Sequence, residues 1–381
     1  SQIKRGVLDM IGAARPSIAD PFLPKKIEEG RLEDIRECIG CNICVAGDMT
    51  MSPIRCTQNP TMGEEWRKGW HPEAIPPKGS DDAVLIVGAG PAGLEAARAL
   101  GQRGYRVHLA EAGQDLGGRV VREARLPGLA EWIRVRDYRV QQLDKMANVE
   151  VYRASRLEPG HVCEFGAPRV LVATGSRWRR DGVGRAHSAP VPGFERDGVH
   201  TPDDIMAGAM PDGPVVIFDD DHYYMGGVLA ERLRNEGIDV TLVTPALAAS
   251  YWTEMTLEIE HIHKRLLELE IAILPNASVV GFDGARAELA CVFTGRRRDI
   301  PCAAIVTVTA RLPEEALYRD LIADPDRLAA AGIESVTAIG DALAPGSIAA
   351  AVYAGHRAAR ELDAPPTGDA VPFERELTLE G

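Results

Sequence analysis

Short, continuous apolar runs recur along the chain from residue 82 onward. The first of them, Ala83-Val84-Leu85-Ile86-Val87, has the pattern of a strand that is buried on both faces. It leads through a glycine-rich turn into an Ala/Leu-rich helix that ends near residue 103, and a second strand at 106–110 completes a β-α-β unit. Similar patterns predict further strands at 170–173, 215–218, 240–243, 303–308 and 336–339, and helices at 225–236, 255–269 and 348–362. This alternation predicts an α/β fold in which helices cover parallel sheets.

The pattern before residue 82 is different. Residues 1–36 contain an apolar run at 7–14, a polar turn and a helix-like stretch at 24–35, which together predict one β-α unit that cannot close a core by itself. Residues 37–80 are rich in proline, glycine and tryptophan and lack sustained periodicity, so something other than a hydrophobic core must hold them together. The last segment, 365–381, contains three prolines and predicts an extended arm.

Length and charge narrow the class of protein. A chain of 381 residues is expected to fold as two or three packed units. Its 43 basic and 56 acidic residues give a net charge of −13, and because an acidic surface repels phosphate backbones, nucleic acid is not an expected partner. No apolar run reaches the roughly 18 residues of a membrane span, and the N-terminus lacks the apolar stretch of a signal peptide. We therefore expect a soluble, cytoplasmic protein.

Four of the seven cysteines crowd into one segment, at Cys38, Cys41, Cys44 and Cys56. The first three are separated by two residues each, and the fourth follows twelve residues after the third. Three thiolates in one tight loop and one remote thiolate have the spacing of [4Fe–4S] ligands. Zinc sites more often pair two separated two-cysteine knuckles, so zinc is the second interpretation and unliganded thiols are the third. The other cysteines stand singly among apolar neighbours and are expected to be small core residues: Cys163, Cys291 and Cys302.

A glycine fingerprint follows the first buried strand. Gly88, Gly90 and Gly93 lie between a predicted strand and a predicted helix, the context that makes G-x-G-x-x-G typical of a dinucleotide site. The glycines permit the turn, the approach of a pyrophosphate and close helix–strand packing, and the helix N-terminus offers free amides to the phosphates. Glu111, 21 residues after Gly90, ends the second strand and is placed to accept from a ribose hydroxyl. The alternative is a glycine turn that serves packing only.

Further pieces of the same kind of site follow in order. Gly118 and Arg119 belong to a second glycine turn. Thr174 and Gly175 form the small-residue turn that follows the strand predicted at 170–173. Asp341 precedes the last helix, where its carboxylate is placed to bind a ribityl or ribose hydroxyl. Each piece alone is also compatible with an ordinary strand-to-loop turn. Their order after the fingerprint predicts a flavoprotein-disulfide-reductase-like pair of nucleotide-binding domains.

Folds of this kind often carry a second nucleotide site, and in this chain that site lacks the usual glycine turn. The strand at 215–218 and the helix at 225–236 are the matching elements, but the residues between them are Asp219-Asp220-Asp221-His222-Tyr223-Tyr224. The glycines that admit a pyrophosphate are absent, and carboxylates close together at the mouth repel phosphate. We therefore expect the inserted domain to keep the fold without binding NAD(P)H. The alternative is that these residues form a simple solvated acidic turn, which would not bind a dinucleotide either.

Taken together, these motifs resemble the C-terminal half of the trimethylamine dehydrogenase family, over essentially the whole chain. Besides the cysteines and the Gly88 fingerprint, the shared strings include Ala14-Arg15-Pro16-Ser17-Ile18-Ala19-Asp20-Pro21, Cys56-Thr57-Gln58-Asn59, Gly63-Glu64-Glu65, Gly69-Trp70-His71-Pro72-Glu73, Pro127-Gly128-Leu129-Ala130-Glu131-Trp132 and Gly355-His356-Arg357. The gap between the third and fourth cysteines is one residue shorter here than in trimethylamine dehydrogenase.

The resemblance implies an architecture. Residues 1–36 would be the last β-α unit of a (β/α)8 barrel that carries FMN, with Arg15 helping to hold the FMN phosphate, and 37–80 the iron–sulfur segment with the four cysteines as ligands. An ADP- or FAD-binding domain would comprise 81–208 and 313–364, with an NAD(P)-type domain inserted at 209–312 and the arm at 365–381. The first seven barrel strands and the substrate pocket are not in this sequence, so catalytic residues cannot be named. A separate chain, or a longer form of this one, would supply them.

The resemblance also implies a reaction. An N-methylated amine or amino acid would be oxidised at the barrel FMN, the iminium would hydrolyse to formaldehyde, and electrons would pass singly through the cluster to an electron-transferring flavoprotein. The degenerate insert favours ADP over FAD in the Gly88 site, and Glu37 and Arg134 are candidates for the docking surface. Two rival functions stay open: an NAD(P)H-dependent enoyl reductase of the dienoyl-CoA reductase kind with FAD, and an electron-transfer subunit without its own substrate. A homo- or hetero-oligomer is expected.

Overall fold

The computed structural model describes residues 2–364, and the arm predicted for 365–381 lies outside that range. Within this range strands and helices alternate, and the predicted α/β class is confirmed. The strands are β1 (Ala83–Val87), β2 (Arg106–Ala110), β3 (Val149–Tyr152), β4 (Arg169–Val172), β5 (Ser176–Trp178), β6 (Val199–His200), β7 (Val215–Asp219), β8 (Val240–Val243), β9 (Ala272–Leu274), β10 (Ala277–Phe282), β11 (Arg286–Cys291), β12 (Arg297–Pro301), β13 (Ala304–Val308), β14 (Arg311–Pro313) and β15 (Ser335–Ala338). The α-helices are α1 (Ala14–Ala19), α2 (Leu23–Glu28), α3 (Ile43–Met49), α4 (Pro91–Arg103), α5 (Arg119–Glu123), α6 (Arg134–Leu143), α7 (Pro159–Phe165), α8 (Pro202–Met206), α9 (Tyr224–Asn235), α10 (Ile259–Glu268), α11 (Ala316–Ile322), α12 (Pro325–Ala330) and α13 (Ile348–Arg360). Short 3₁₀ turns lie at Leu32–Asp34, Ala130–Ile133, Tyr251–Glu254 and Gly340–Ala342.

The first sheet is parallel and has the strand order β15-β4-β1-β2-β3. Its central strand β1 is buried along its whole length, as the continuous apolar run predicted. Val84 and Ile86 pack in one core with apolar residues of α4 and α13, whereas Leu85 and Val87 pack on the opposite face with residues of α7 and α11. The carboxyl end of β1 therefore opens at the N-terminus of α4, where the glycine fingerprint lies.

The second sheet is also parallel, with the order β6-β13-β7-β8-β9. One face packs on α9 and α10, and the other packs on a three-stranded antiparallel sheet, β10-β11-β12. Because β6 pairs with β13, this sheet also includes residues 199–200, which precede the boundary predicted at 209, and the domain boundaries stay a prediction. A two-stranded antiparallel ribbon of β5 and β14 connects the two units.

Three details of the predicted elements are wrong. No strand forms at 7–14; among the described residues this run pairs with no other strand, and Met10 is 85% exposed. The helix predicted at 24–35 ends at Glu28, because Gly30 adopts a positive φ of 75°. The helix predicted at 255–269 begins only at Ile259, after Leu257 with its φ of 59°. The assignment of 1–36 to a barrel stays a prediction.

Two of the three solitary cysteines pack as expected. Cys302 is buried in the core of the second unit, and Cys163 packs against the core beneath the first sheet. Cys291 is only half-buried at the end of β11, where hydrogen bonds from the Thr294 side chain and backbone lower its pKa. Among the described residues, no helix combines the length and apolar character that crossing a bilayer requires.

Candidate functional site

The glycine fingerprint opens into a cavity of about 730 Å³ at the carboxyl end of the first sheet. Gly88 has a φ of 105°, and a Cβ on it would lie 2.4 Å from the Ala173 carbonyl oxygen. A Cβ on Gly93 would lie 1.9 Å from the Gly88 carbonyl oxygen, so helix and strand pack at a distance that only glycine allows. A Cβ on Gly90 would meet nothing within 4 Å, which leaves its backbone open to a ligand.

The structure brings nearly all of the predicted nucleotide residues together. Eight of them line this one cavity: Gly88, Gly90, Glu111, Gly118, Arg119, Thr174, Gly175 and Asp341. Gly93 lies beneath it, in the first turn of α4. Arg15, the candidate for an FMN phosphate, does not line the cavity and lies instead beside the cysteines, where its Nη1 donates to Asn42 Oδ1 at 2.5 Å.

Glu111 forms the rim of the cavity where β2 ends. Its Oε2 accepts from the Ala89 amide at 2.8 Å and its Oε1 accepts from the Gly113 amide at 2.8 Å. These bonds hold the carboxylate in place but use only two of about four lone-pair directions. The remaining directions are available to ribose hydroxyls.

Replacing Glu111 by alanine is therefore expected to weaken ADP binding about tenfold or more, because hydrogen bonds to a charged acceptor contribute about 1.5–3 kcal/mol. Isothermal titration calorimetry of the purified protein measures the change. Glu150→Ala, an exposed carboxylate on the neighbouring strand β3, is the matched control and should bind ADP like the parent protein. Equal affinity of the parent and Glu111→Ala would contradict the assignment.

Two arginines and an aspartate also line the cavity: Arg119, Arg311 and Asp341. Asp341 accepts from Ser176 Oγ at 2.7 Å, from Arg311 Nη1 at 2.8 Å and from the Gly346 amide at 3.0 Å. Arg119 donates through Nη2 to the Ser176 carbonyl, and its Nε and Nη1 are buried without a hydrogen-bond partner among the described residues. Nearby, burial raises the pKa of Glu123. No motif marks Arg311 or Glu123, so neither residue was predicted from the sequence.

The cysteine loop, residues 38–56, has three left-handed positions, and two of them, Gly40 and Asn42, lie among the first three cysteines, whereas the third is Met51. Gly40 has a φ of 67° and Asn42 a φ of 51°, and α3 begins directly after Asn42. Each sulfur has at least one backbone amide beside it. Gly40 N lies 3.5 Å from Cys38 Sγ, and the Ile43 amide donates to Cys41. The Val45 amide donates to Cys44, and the amides of Gln58 and Asn59 donate to Cys56. Thr57 Oγ1 lies 3.1 Å from Cys41 Sγ. Hydrogen bonds to the sulfurs are one of the factors by which a protein sets the reduction potential of an iron–sulfur cluster.

The Cys41 and Cys44 sulfurs interact electrostatically with both Cys38 and Cys56. Burial, with a smaller contribution from the Cys41 and Cys44 sulfurs, raises the pKa of Cys56 to about 11. Among the described residues, no three His, Cys, Asp or Glu side chains close on a single metal ion. A cubane differs from a single ion in that each thiolate binds its own iron. The donor set fits a cubane chemically, and the cluster stays a prediction.

A buried network of ionic side chains contacts the segment that follows Cys56. Arg139, fully buried on α6, donates through Nη1 to Gln58 Oε1 at 3.0 Å and through Nε to Glu95 Oε2 at 2.9 Å. Glu95 lies on α4, also accepts from Arg98, and accepts from His356 Nδ1 at 2.8 Å. The network therefore joins the residues that flank Cys56 to the helix that begins at the nucleotide cavity. No sequence pattern singled it out.

The two candidate docking residues pair with each other. Arg134 Nε lies 3.3 Å from Glu37 Oε2, and Arg134 Nη2 lies 2.8 Å from Glu131 Oε2. All three side chains are exposed, and Glu37 directly precedes the first cysteine. The pair therefore lies at the surface beside the cysteine loop.

The insert loop, residues 219–224, is not the solvated turn considered above. Asp219 and Asp220 are both 0% exposed. Asp219 Oδ1 accepts from the His222 amide at 3.0 Å, and Asp220 Oδ2 accepts from the Ala186 amide at 2.9 Å. Burial and the neighbouring Asp221 raise the pKa of Asp219 to about 7. These aspartates are part of the core, which sequence alone did not indicate.

Asp219 also occupies the approach to helix α9. A Cβ on Gly226, in the first turn of that helix, would lie 2.5 Å from the Asp219 Cγ. In nucleotide-binding β-α-β units the phosphates lie at this helix N-terminus. Here a buried carboxyl group fills that space, and the bulky Tyr223 and Tyr224 follow it.

The chain is similar to known proteins over nearly its whole length. Residues 82–355 match the family model described as pyridine nucleotide-disulphide oxidoreductase. Dimethylamine dehydrogenase from Hyphomicrobium sp. (strain x) is 42% identical over 401 residues, which cover 98% of this chain and 54% of that protein.

Two solved structures are similar at both the sequence and the fold level. Histamine dehydrogenase from Rhizobium sp. 4-9 is 57% identical with a TM-score of 0.95, covering 99% of this chain and 58% of that one. The 6-hydroxypseudooxynicotine amine oxidase from Pseudomonas geniculata N1 is 50% identical with a TM-score of 0.92, covering 94% of this chain and 54% of that one. The chain thus spans little more than half the length of these relatives.

Proposed function

The chain belongs to the pyridine nucleotide-disulphide oxidoreductase family and matches the C-terminal part of dimethylamine and histamine dehydrogenases, and we propose that it is the nucleotide- and cluster-bearing part of an amine dehydrogenase. It would pass electrons from a barrel-bound FMN through a [4Fe–4S] cluster to an electron-transferring flavoprotein. The observation that carries the proposal is the four-cysteine loop with its amide donors, joined through Arg139 to the helix of the dinucleotide cavity.

Each cofactor has a place in this proposal. Cys38, Cys41, Cys44 and Cys56 would ligate the cluster, and residues 37–80 would form its segment. FMN, which supplies two-electron oxidation of the substrate, would be held mainly by the barrel, with Arg15 near the cysteine loop as this chain's contribution. The relatives are longer than this chain, so the barrel would come from a separate chain or from a longer form of this one.

We propose ADP rather than FAD as the ligand of the Gly88 cavity. The fingerprint and Glu111 suit the adenosine and pyrophosphate that both ligands share. Arg119 and Arg311 also line the cavity, and the carboxylate of Asp341 already accepts three hydrogen bonds within the chain. A ribityl chain would have to displace these contacts, whereas ADP leaves them intact.

The proposed electron acceptor is a protein and not a nicotinamide nucleotide. Asp219 fills the helix N-terminus that a nicotinamide nucleotide would use, which argues against the enoyl reductase rival. The proposed docking surface is the exposed Glu37–Arg134 pair beside the cysteine loop. The proposed substrate is an N-methylated or other small amine, bound in the barrel, and the proposed location is the cytoplasm. An electron-transfer subunit without its own substrate is the remaining alternative.

Protein that has been purified anaerobically and reduced with dithionite is expected to stay reduced when NAD⁺ or NADP⁺ is added, because the insert cannot seat the nucleotide. An electron-transferring flavoprotein, and ferricenium as an artificial one-electron acceptor, should both reoxidise it. Stopped-flow absorbance of the cluster measures the reoxidation. Rapid reoxidation by either nicotinamide nucleotide would favour the enoyl reductase. Amine-dependent dye reduction in the absence of any barrel would contradict the assignment of the substrate pocket to the barrel.

A further inference from the structure

The insert loop has lost the features of a nucleotide site, yet its side chains are ordered against the cysteine loop. The rings of Tyr223 and Tyr224 meet edge to face with centroids 4.4 Å apart. The Tyr224 ring in turn meets Trp132 at 5.5 Å and an interplanar angle of 90°. Three aromatic rings thus form a continuous wall, which we call the aromatic wall, between the insert and the first unit.

The aromatic wall faces the second cysteine. Trp132 packs in the same apolar cluster as Cys41 and Ile39, and it also packs against the core of the insert. Tyr223 belongs to this wall through its ring contact with Tyr224, which in turn contacts Trp132. Burial raises the pKa of Cys41. Cys41 and Tyr223 are both partly buried, and the aromatic wall meets the cluster that contains Cys41 through Trp132.

Hydrogen bonds also connect the cysteine loop and the aromatic wall to the insert. Asn42, which directly follows Cys41, donates through Nδ2 to the Thr256 carbonyl at 3.1 Å. Tyr224 donates to Glu258, and its hydroxyl lies 3.5 Å from Thr256 Oγ1. The cysteine loop and the aromatic wall are thus both hydrogen-bonded to one short segment of the insert, at Thr256 and Glu258.

We propose that Tyr223 is a positioning residue that closes the insert side of the cluster against water and thereby sets the cluster's reduction potential and its resistance to chelators. The inference rests on the cluster proposed above. Water near an iron–sulfur cluster stabilises the more negatively charged reduced form, so solvent exposure is one of the factors that set its potential. The apolar surroundings of a metal site also control access to it. The insert loop would thus serve the cluster in place of a nucleotide.

The test compares Tyr223→Ala, Tyr223→Phe and the parent protein, each purified anaerobically with iron and acid-labile sulfide counted first. Tyr223→Ala is expected to lose its cluster to a ferrous chelator about tenfold faster than the parent, with a reduction potential shifted upward in an EPR-monitored titration. Tyr223→Phe keeps the ring and should restore the parent's chelation rate. Tyr152→Ala, a partly exposed tyrosine on the edge strand β3, is the control and should change neither quantity.

The outcomes are distinguishable. Absence of iron from the parent would overturn the proposed cluster and this inference together. Iron in every variant with unchanged potential and unchanged chelation rate would overturn this inference alone. Should Tyr223→Ala fail to fold, Tyr223→Leu, which keeps an apolar side chain but lacks the ring, is judged by the same two measurements.

Discussion

Replacing Glu95 by glutamine is expected to lower the free energy of unfolding by about 3–5 kcal/mol, although the side chain keeps its size. Glu95 is 1% exposed and is the carboxylate that faces both Arg98 and Arg139. Burial by itself raises the pKa of Glu95, but the two guanidinium groups hold it well below its ordinary value. Without this charge two arginines remain buried with no carboxylate between them. Urea unfolding followed by circular dichroism measures the loss.

Two matched variants show whether charge or packing is responsible. Arg139→Met removes one of the two cations and leaves Glu95 balanced by Arg98, so it should cost clearly less than Glu95→Gln. Glu150→Gln makes the same chemical change at a carboxylate that is 59% exposed and should fall within about 0.5 kcal/mol of the parent. A Glu95→Gln protein as stable as the Glu150→Gln protein would contradict the electrostatic account.

The histidine in this network is explained by the same contacts. His356 Nδ1 donates to Glu95, and Nε2 accepts from Arg360 Nε at 2.8 Å, so only the neutral ring satisfies both neighbours. Burial lowers the pKa of His356 to about 4. Because α4 begins at the nucleotide cavity and Arg139 holds Gln58 beside Cys56, the network couples the two candidate sites mechanically. None of its members lines the nucleotide cavity, so the network connects the two candidate sites without forming part of the cavity.

The sequence predicted the first unit well because its signals are local. A continuous apolar run, three glycines at fixed spacing and an acid at the end of the next strand each depend on neighbours only a few residues away. The strand predicted at 7–14 failed for the opposite reason, since a strand needs partners and none is present among the described residues. Val199–His200 was missed because two residues carry no pattern, and only pairing with β13 makes them a strand.

Buried polar groups were the other feature that could not be predicted from the sequence. Asp219 and Asp220 look like a surface turn in sequence, and their burial depends on contacts from residues as distant as Ala186. Glu95 lies within an Ala/Leu-rich helix, where one acid suggests nothing unusual. Its partners come from α6 and α13, so the network exists only in three dimensions. The cysteines were easier, because ligands of a cluster must be close together in one loop.

Replacing Cys56 by serine is expected to abolish the four-iron cluster, with iron and acid-labile sulfide in the anaerobically purified protein falling from about four of each per chain to a small fraction of that. Burial raises the pKa of this thiol to about 11, so in the absence of metal the sulfur is protonated, and iron is what stabilises the thiolate. A serine hydroxyl is a poorer ligand for iron than a thiolate. The other three cysteines lie within one tight turn and cannot reach the fourth corner of a cubane.

The control is Cys302→Ser, which alters a buried cysteine in the second unit, away from the cysteine loop. It should keep the full iron content, although the buried hydroxyl lowers stability by about 1–3 kcal/mol. Equal iron loss in both variants would indicate general unfolding instead of ligand loss. Full iron content in Cys56→Ser, or zinc in place of iron in the parent protein, would exclude the four-cysteine cluster and with it the proposed route for electrons. If the prediction holds, the EPR signal of the dithionite-reduced parent should be absent from Cys56→Ser and intact in Cys302→Ser, because only the first variant removes a sulfur that the cluster requires.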